Sequence, residues 1–104
     1  MSEYDQIKSV LAPILENSGI KQIEENLEPD FFGSAYSVFS GKGLSYRILW
    51  DGKDGCGYIQ SSENNNWVNL RSSSPESNHN AFESALLRMR IALIEHKALK
   101  KLNA

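Results

Sequence analysis

The 104-residue chain has a single cysteine, Cys56, so no internal disulfide can form and a small fold held together by cross-links is excluded. A lone thiol fits a reducing compartment. Long apolar runs are also missing. No stretch approaches the roughly 18 apolar residues of a membrane span, and Met1-Ser2-Glu3-Tyr4-Asp5 lacks the basic and then apolar leader of a signal peptide. There is no Asn-x-Ser/Thr sequon. The expectation is a cytoplasmic protein with no membrane partner. Net charge is small, -2 with a sequence pI near 5.6, which argues against a protein held on nucleic acid or an anionic surface by bulk electrostatics.

Motifs that carry chemistry are missing too. Asp51-Gly52-Lys53-Asp54-Gly55 has the look of an acidic calcium loop. However, Lys53 puts a cation at the third position and Ser62 stands where the twelfth-position carboxylate belongs. The glycines from 52 to 57 match neither phosphate-binding pattern and lead into a strand, not a helix. Cys56 with His79 or His96 would need a thiolate and a base held together, and no motif fixes either histidine beside the cysteine. Two histidines and one cysteine without close ligand spacing do not suggest a zinc site. Glu24 and Glu25 are adjacent, so on a helix they cannot face one another as acid and base. The sequence therefore predicts no enzyme, no cofactor and no metal.

What is present has the balance of one globular unit, 40% hydrophobic and 23% charged. Residues 1–104 are expected to form a single α+β domain. A chain this short buries roughly 60 to 65% of its unfolded surface, enough for one sheet and two covering helices but not for a large cofactor cavity.

Tyr4, Ile7, Val10, Leu11, Ile14 and Leu15 recur at helical spacing and predict a helix from Glu3 to Asn17. Ser2 and Asp5 form a capping box at its start and Gly19 a stop just past its end, and Pro13 is expected to kink it. Ile20, Ile23 and Leu27 keep a helical period and predict a short second helix before Pro29, on which Glu24, Glu25, Glu28 and Asp30 make an acidic patch. From Ser34 to Arg71, three short polar stretches, Gly41-Lys42-Gly43, Gly52-Lys53-Asp54-Gly55 and Glu63-Asn64-Asn65-Asn66, read as hairpin loops between β-favouring runs. The polar connector Ser72–His79 follows. Asn80 then caps a long last helix, with Glu83 completing the pattern. The predicted fold is a four-stranded antiparallel meander with the N-terminal and the long C-terminal helix on one face, in the order α-(α)-β-β-β-β-α.

Pairing Ser40 with Leu44, Asp51 with Cys56 and Ser62 with Trp67 sorts the strand residues onto two faces. Tyr36, Val38, Leu44, Tyr46, Ile48, Trp50, Ile59, Val68 and Leu70 fall on a core face. Ala35, Ser37, Phe39, Leu49, Asp51 and Cys56 fall on a mixed face with Arg47, Tyr58, Gln60, Trp67, Asn69 and Arg71. The last six are the candidate partner-binding residues, because aromatic and arginine side chains dominate interface hot spots. Trp67 weighs most, since an indole on a solvent-facing strand calls for a ligand, a partner, or cover from residues 20–33 with Phe31 and Phe32. On the last helix, Phe82, Ala85, Leu86, Met89, Ala92 and Leu93 form a stripe for the sheet. Leu87, Ile91, Ile94 and Ala98 form a second stripe that predicts either cover by the first helix or a homodimer contact. Lys97, Lys100 and Lys101 suit the negative end of the helix dipole.

Two readings follow. The acidic segment and the mixed face give the chain a character similar to small acidic bacterial inhibitors and toxin-neutralising immunity proteins, which implies a protein partner. The alternative is single-stranded nucleic acid or RNA on the open face, with Tyr58 and Trp67 stacking bases and Arg47, Arg71 and Lys53 meeting phosphates. The element order also resembles a double-stranded RNA-binding domain. That family's glycine-rich, lysine-pair start to the last helix is replaced by Asn80-Ala81-Phe82-Glu83, and net acidity disfavours nucleic acid.

Overall fold

The structure, a computed structural model, describes residues 2–73 and 81–102, without the side chains of 71–73, 81, 101 and 102. Helix α1 (Glu3–Glu16) leads into five strands, β1 (Lys21–Glu28), β2 (Ser34–Gly41), β3 (Leu44–Asp51), β4 (Cys56–Glu63) and β5 (Asn66–Ser73), and α2 (Ala81–Leu102) closes the order. Neighbouring strands are antiparallel and lie side by side in chain order. Both helices cover one face, α1 above β1 to β3 and α2 above β4 and β5. The fold is the expected α+β sandwich with one strand more than predicted. Among the described residues no helix is long and apolar enough to cross a membrane.

The caps of α1 form as its sequence dictates. Ser2 Oγ accepts from the Asp5 amide at 3.1 Å and donates to the Asp5 carboxylate at 2.9 Å. At the far end Gly19, at φ +79°, lets the Ile20 amide reach back to the Leu15 carbonyl. The helix runs on through Pro13, whose ring faces solvent, and only the hydrogen bond to the Ser9 carbonyl is forfeited. Lys97 of α2 donates to the Ile14 carbonyl at 2.9 Å and to Ser18 Oγ, so the cation assigned by sequence to its own helix dipole also satisfies the end of α1. The Asn80 cap and most of the Ser72–His79 connector lie outside the described residues.

The segment expected as a second helix is the edge strand β1. Its apolar residues keep a helical period, yet pairing with the open edge of β2 satisfies a full row of backbone groups that a short isolated helix could not match. A bulge between Gln22 and Glu24 leaves Ile23 out of the ladder and 66% exposed. Charged side chains on this strand blunt an otherwise open sheet edge.

The β2–β3 hairpin corrects the predicted register. Lys42 (φ +56°) and Gly43 (φ +76°) form a two-residue turn, so Gly41 pairs with Leu44, where the sequence reading paired Ser40 with Leu44. Such a turn matches strand twist better than a three-residue loop, and the one-residue change turns all of β2 over. Ala35, Ser37 and Phe39 therefore enter the core opposite Trp50, Ile48 and Tyr46, while Tyr36 and Val38 face outward. The other two predicted pairings, Asp51 with Cys56 and Ser62 with Trp67, are present. A bulge in β5 sets Arg71 opposite the core residue Ile59, and its side chain lies outside the described residues. Val68, expected in the core, is largely exposed on the edge strand.

Phe39, Tyr46, Ile48 and Ile59 of the sheet are sealed by Ile7, Leu11 and Leu15 from α1 and by Met89 and Leu93 from α2. Phe82 adds an edge-to-face contact with Trp50. Burying this surface supplies most of the driving force for folding, at about 1.5 to 3 kcal/mol for each large side chain.

Candidate functional site

The face of the sheet turned away from the helices carries one connected row of side chains. Glu24 on β1 accepts from the Tyr36 hydroxyl on β2 at 2.6 Å. The Arg47 guanidinium on β3 lies over the Tyr36 ring at 5.6 Å and over the Trp67 ring of β5 at 5.0 Å. Arg47 Nε donates to Gln60 Oε1 on β4 at 2.6 Å, and Gln60 Nε2 donates to Asn69 Oδ1 on β5 at 2.7 Å. The row crosses all five strands.

Strand alternation explains why these residues meet. Val38 is paired with Arg47, Arg47 with Gln60 and Gln60 with Asn69, so their side chains share a face; Trp67, opposite Ser62, and Tyr58, opposite Leu49, stand on that face to either side of the Gln60–Asn69 pair. Of the candidates named from sequence, Arg47, Gln60, Trp67 and Asn69 come together here, while Tyr58 shares the face opposite Leu49, away from Trp67. Tyr36 and Glu24 were missed. The reversed register of β2 hid the first, and the helical reading of β1 hid the second as a site neighbour. Residues 20–33 do not fold across this face, because residues 21–28 extend the sheet and Phe31 and Phe32 stand exposed at the β1–β2 turn.

The row's electrostatics follow from these contacts. Burial draws the Arg47 guanidinium somewhat below its usual range, while Tyr36 and Glu24 pull it back up. Glu24 holds the Tyr36 phenol above its usual range. Gln60 is buried, and both ends of its amide are satisfied. The result is a guanidinium held by two aromatic rings and one amide on an otherwise open sheet.

The acidic patch is divided. Glu24 and Glu28 belong to the outer face, and Asn26 donates to Glu28 at 3.1 Å. Glu25 turns to the helix side, where Lys8 at 2.5 Å and the Tyr4 hydroxyl at 2.7 Å both bind its carboxylate and keep its pKa low. Asp30 sits in the β1–β2 turn.

On the helix side the structure assembles a triad the sequence reading did not name. The buried Tyr46 hydroxyl lies 2.8 Å from His96 Nδ1, and His96 Nε2 lies 3.9 Å from Glu63. Burial pushes the Tyr46 phenol up to about 12, and burial with nearby Lys100 lowers His96. A neighbouring cleft of about 200 Å³ between β5 and α2 is lined by Leu70, Ala92, Glu95, His96 and Leu99, and is smaller than ordinary small-molecule sites. With the tyrosine sealed in the core, the triad fastens α2 to the sheet. Cys56 falls on the outer side of the sheet, across from His96, and His79 lies outside the described residues. Among the described residues no group of three or more histidine, cysteine, aspartate and glutamate side chains is placed to hold a metal.

Comparison with family models, with curated proteins and with solved structures returns no match for this chain.

Proposed function

We propose that this chain is a small non-enzymatic protein-binding module of the inhibitor or immunity type, and that its partner docks on the outer sheet face. One observation carries the reading. Arg47 is held between Tyr36 and Trp67 and bonded to Gln60 before any partner arrives. Aromatic and arginine side chains supply most hot-spot energy, and holding them in place beforehand reduces the ordering cost of association. Glu24 and Glu28 add an acidic border along β1, which suits a partner with basic groups at that edge. A cytoplasmic setting belongs to the same proposal, supported by the buried free thiol of Cys56.

The test is affinity capture from the source cell with the wild-type chain, an Arg47→Glu/Trp67→Ser variant, and a Ser9→Glu control on α1. A stoichiometric protein held by wild type and control but lost with the face variant supports the proposal. Equal recovery with all three, or no stoichiometric protein, refutes it. Trp67 stacked on Arg47, with Tyr58 elsewhere on the same face, supports the nucleic-acid alternative. Salt-sensitive retention on single-stranded RNA, lost with Arg47→Glu, would put that reading first.

A further inference from the structure

Helix α2 has a face that the fold leaves open. Ala85, Met89, Ala92 and Leu93 are buried against the sheet. On the opposite side Leu87, Ile91 and Ile94 are 53%, 38% and 44% exposed, and Ala98 continues their line. Helix α1 leaves them exposed, and the polar contact between the helices runs through Lys97 to Ile14 and Ser18, roughly 60° to 120° around α2 from the stripe.

We infer that this stripe is the contact between two copies of the chain, joined through parallel α2 helices. Ser84, Leu87, Ile91, Ile94 and Ala98 are spaced by three, four, three and four residues, the alternation of a two-helix seam. In that frame Ile91 takes the central a position and Leu87 and Ile94 the d positions. Ile91 at a beside Leu87 at d is a combination that favours two strands, and Ile94 at the other d position does not add to that preference.

The flanking charges choose the occupant and its direction. Glu83 and Arg90 occupy g positions, and Arg88 and Glu95 occupy e positions. In a parallel pair each g residue faces the e residue five places further along the other helix. Glu83 then meets Arg88 of the second copy, and Arg90 meets Glu95 of the second copy, with both pairs repeated by the two-fold axis. Antiparallel pairing with Ile91 against Ile94 would keep Arg88 beside Glu95 but set Arg90 beside Lys97, two like charges, so it retains fewer attractive pairs than the parallel arrangement. Arg88 and Glu95 also have interactions within their own chain, so the crossed pairs set partner and orientation, and the apolar seam supplies the affinity.

The three large side chains expose roughly 250 Å² of apolar surface on each copy, within the range of functional patches on small proteins. A helix pair of this length buries about 1,000 Å² in total, at the lower limit for a specific interface, which fits a reversible dimer that dissociates on dilution. The stripe and the Arg47 row lie on opposite sides of the molecule. The dimer therefore leaves both outer sheet faces free, and its existence does not depend on what those faces bind.

Sedimentation velocity of the full chain from about 1 to 500 μM tests the proposal. The expected result is a monomer–dimer equilibrium that Ile94→Glu weakens at least about 30-fold, with circular dichroism and Tm unchanged because the position is exposed. A Leu87→Cys variant made with Cys56→Ser should oxidise to a disulfide-linked dimer, since parallel helices place the two introduced thiols side by side. A chain that stays monomeric throughout, or a dimer indifferent to Ile94→Glu, overturns the contact. Cross-linking that requires Leu87→Cys together with Ala98→Cys overturns the parallel orientation.

Discussion

Replacing Arg47 with alanine tests whether the outer row is a built structure or a set of side chains that happen to be near one another. The substitution removes two cation–π contacts, worth about 0.5 to 1 kcal/mol each near a surface, and a charged hydrogen bond worth about 1.5 to 3 kcal/mol. It also leaves the buried Gln60 carbonyl without its donor. Alanine does not incur the cost of ordering the arginine side chain on folding, which offsets about 1 to 2 kcal/mol, so the expected net loss is roughly 2 kcal/mol. Against a total stability of about 5 to 15 kcal/mol this is large, and with a urea slope of about 1.2 kcal/mol/M it moves the midpoint down by about 1.7 M. Equilibrium urea unfolding, followed by tryptophan fluorescence and circular dichroism together, measures it. A double-mutant cycle with Gln60→Leu should return a coupling of about 1 kcal/mol, because the two residues share one bond. A loss below about 0.5 kcal/mol together with zero coupling would refute the reasoning, since an unanchored guanidinium is not preorganised for a partner.

Further outcomes follow from the same geometry. Ile48→Asp puts an unpaired charge at a fully buried position and should unfold the domain, whereas Trp67→Ala on the half-buried outer face should cost about 1 to 2 kcal/mol; comparable losses in thermal melts would contradict the face assignment. Gly52→Ala should cost about 2 to 3 kcal/mol in a urea titration, because the added Cβ would lie 1.8 Å from the Phe32 carbonyl oxygen and the two turns must part; an unchanged midpoint would show that the turns are not in contact. Acidification should destabilise in two stages. His96, lowered by burial and Lys100 from the ordinary 6.5, contributes stability that is full above that value and lost as pH falls through its folded value. Glu25, lowered by Lys8 and Tyr4 from 4.5, adds a second loss below that pH. Tm measured from pH 8 to 3 should fall in that order, and His96→Gln should remove the first stage; a Tm that rises from pH 7 to 5 would oppose the sign.

The sheet, its two long helices and most of its turns are legible in the sequence because each rests on a local rule. Gly19 stops α1, Asn64 and Asn65 tolerate the left-handed backbone of the β4–β5 turn, and Met89 and Leu93 keep the period of a helix lying on a sheet. What the sequence hid was one non-local pairing and one backbone choice. Residues 21–28 have the spacing of a helix and become a strand because the edge of β2 offers them backbone partners. Whether the β2–β3 loop has two residues or three depends on Lys42 adopting positive φ, which a lysine does not advertise. That one residue decided whether Tyr36 or Phe39 would enter the core, and with it whether Arg47 had one aromatic neighbour or two. The candidate site was visible from β3 to β5, where two of the hairpin registers were read correctly, and invisible on β1 and β2.

The central claim is that the outer sheet face meets a protein. The most direct measurement places a photo-crosslinking amino acid at exposed Asn69, on that face, and in a second chain at exposed Ser9 on α1, and irradiates both in the source cell. One crosslinked protein of defined mass from position 69, absent from position 9 and lost when Arg47→Glu is added, is the predicted result. Identical crosslinks from both positions, or none from position 69 while the chain remains folded, would contradict it.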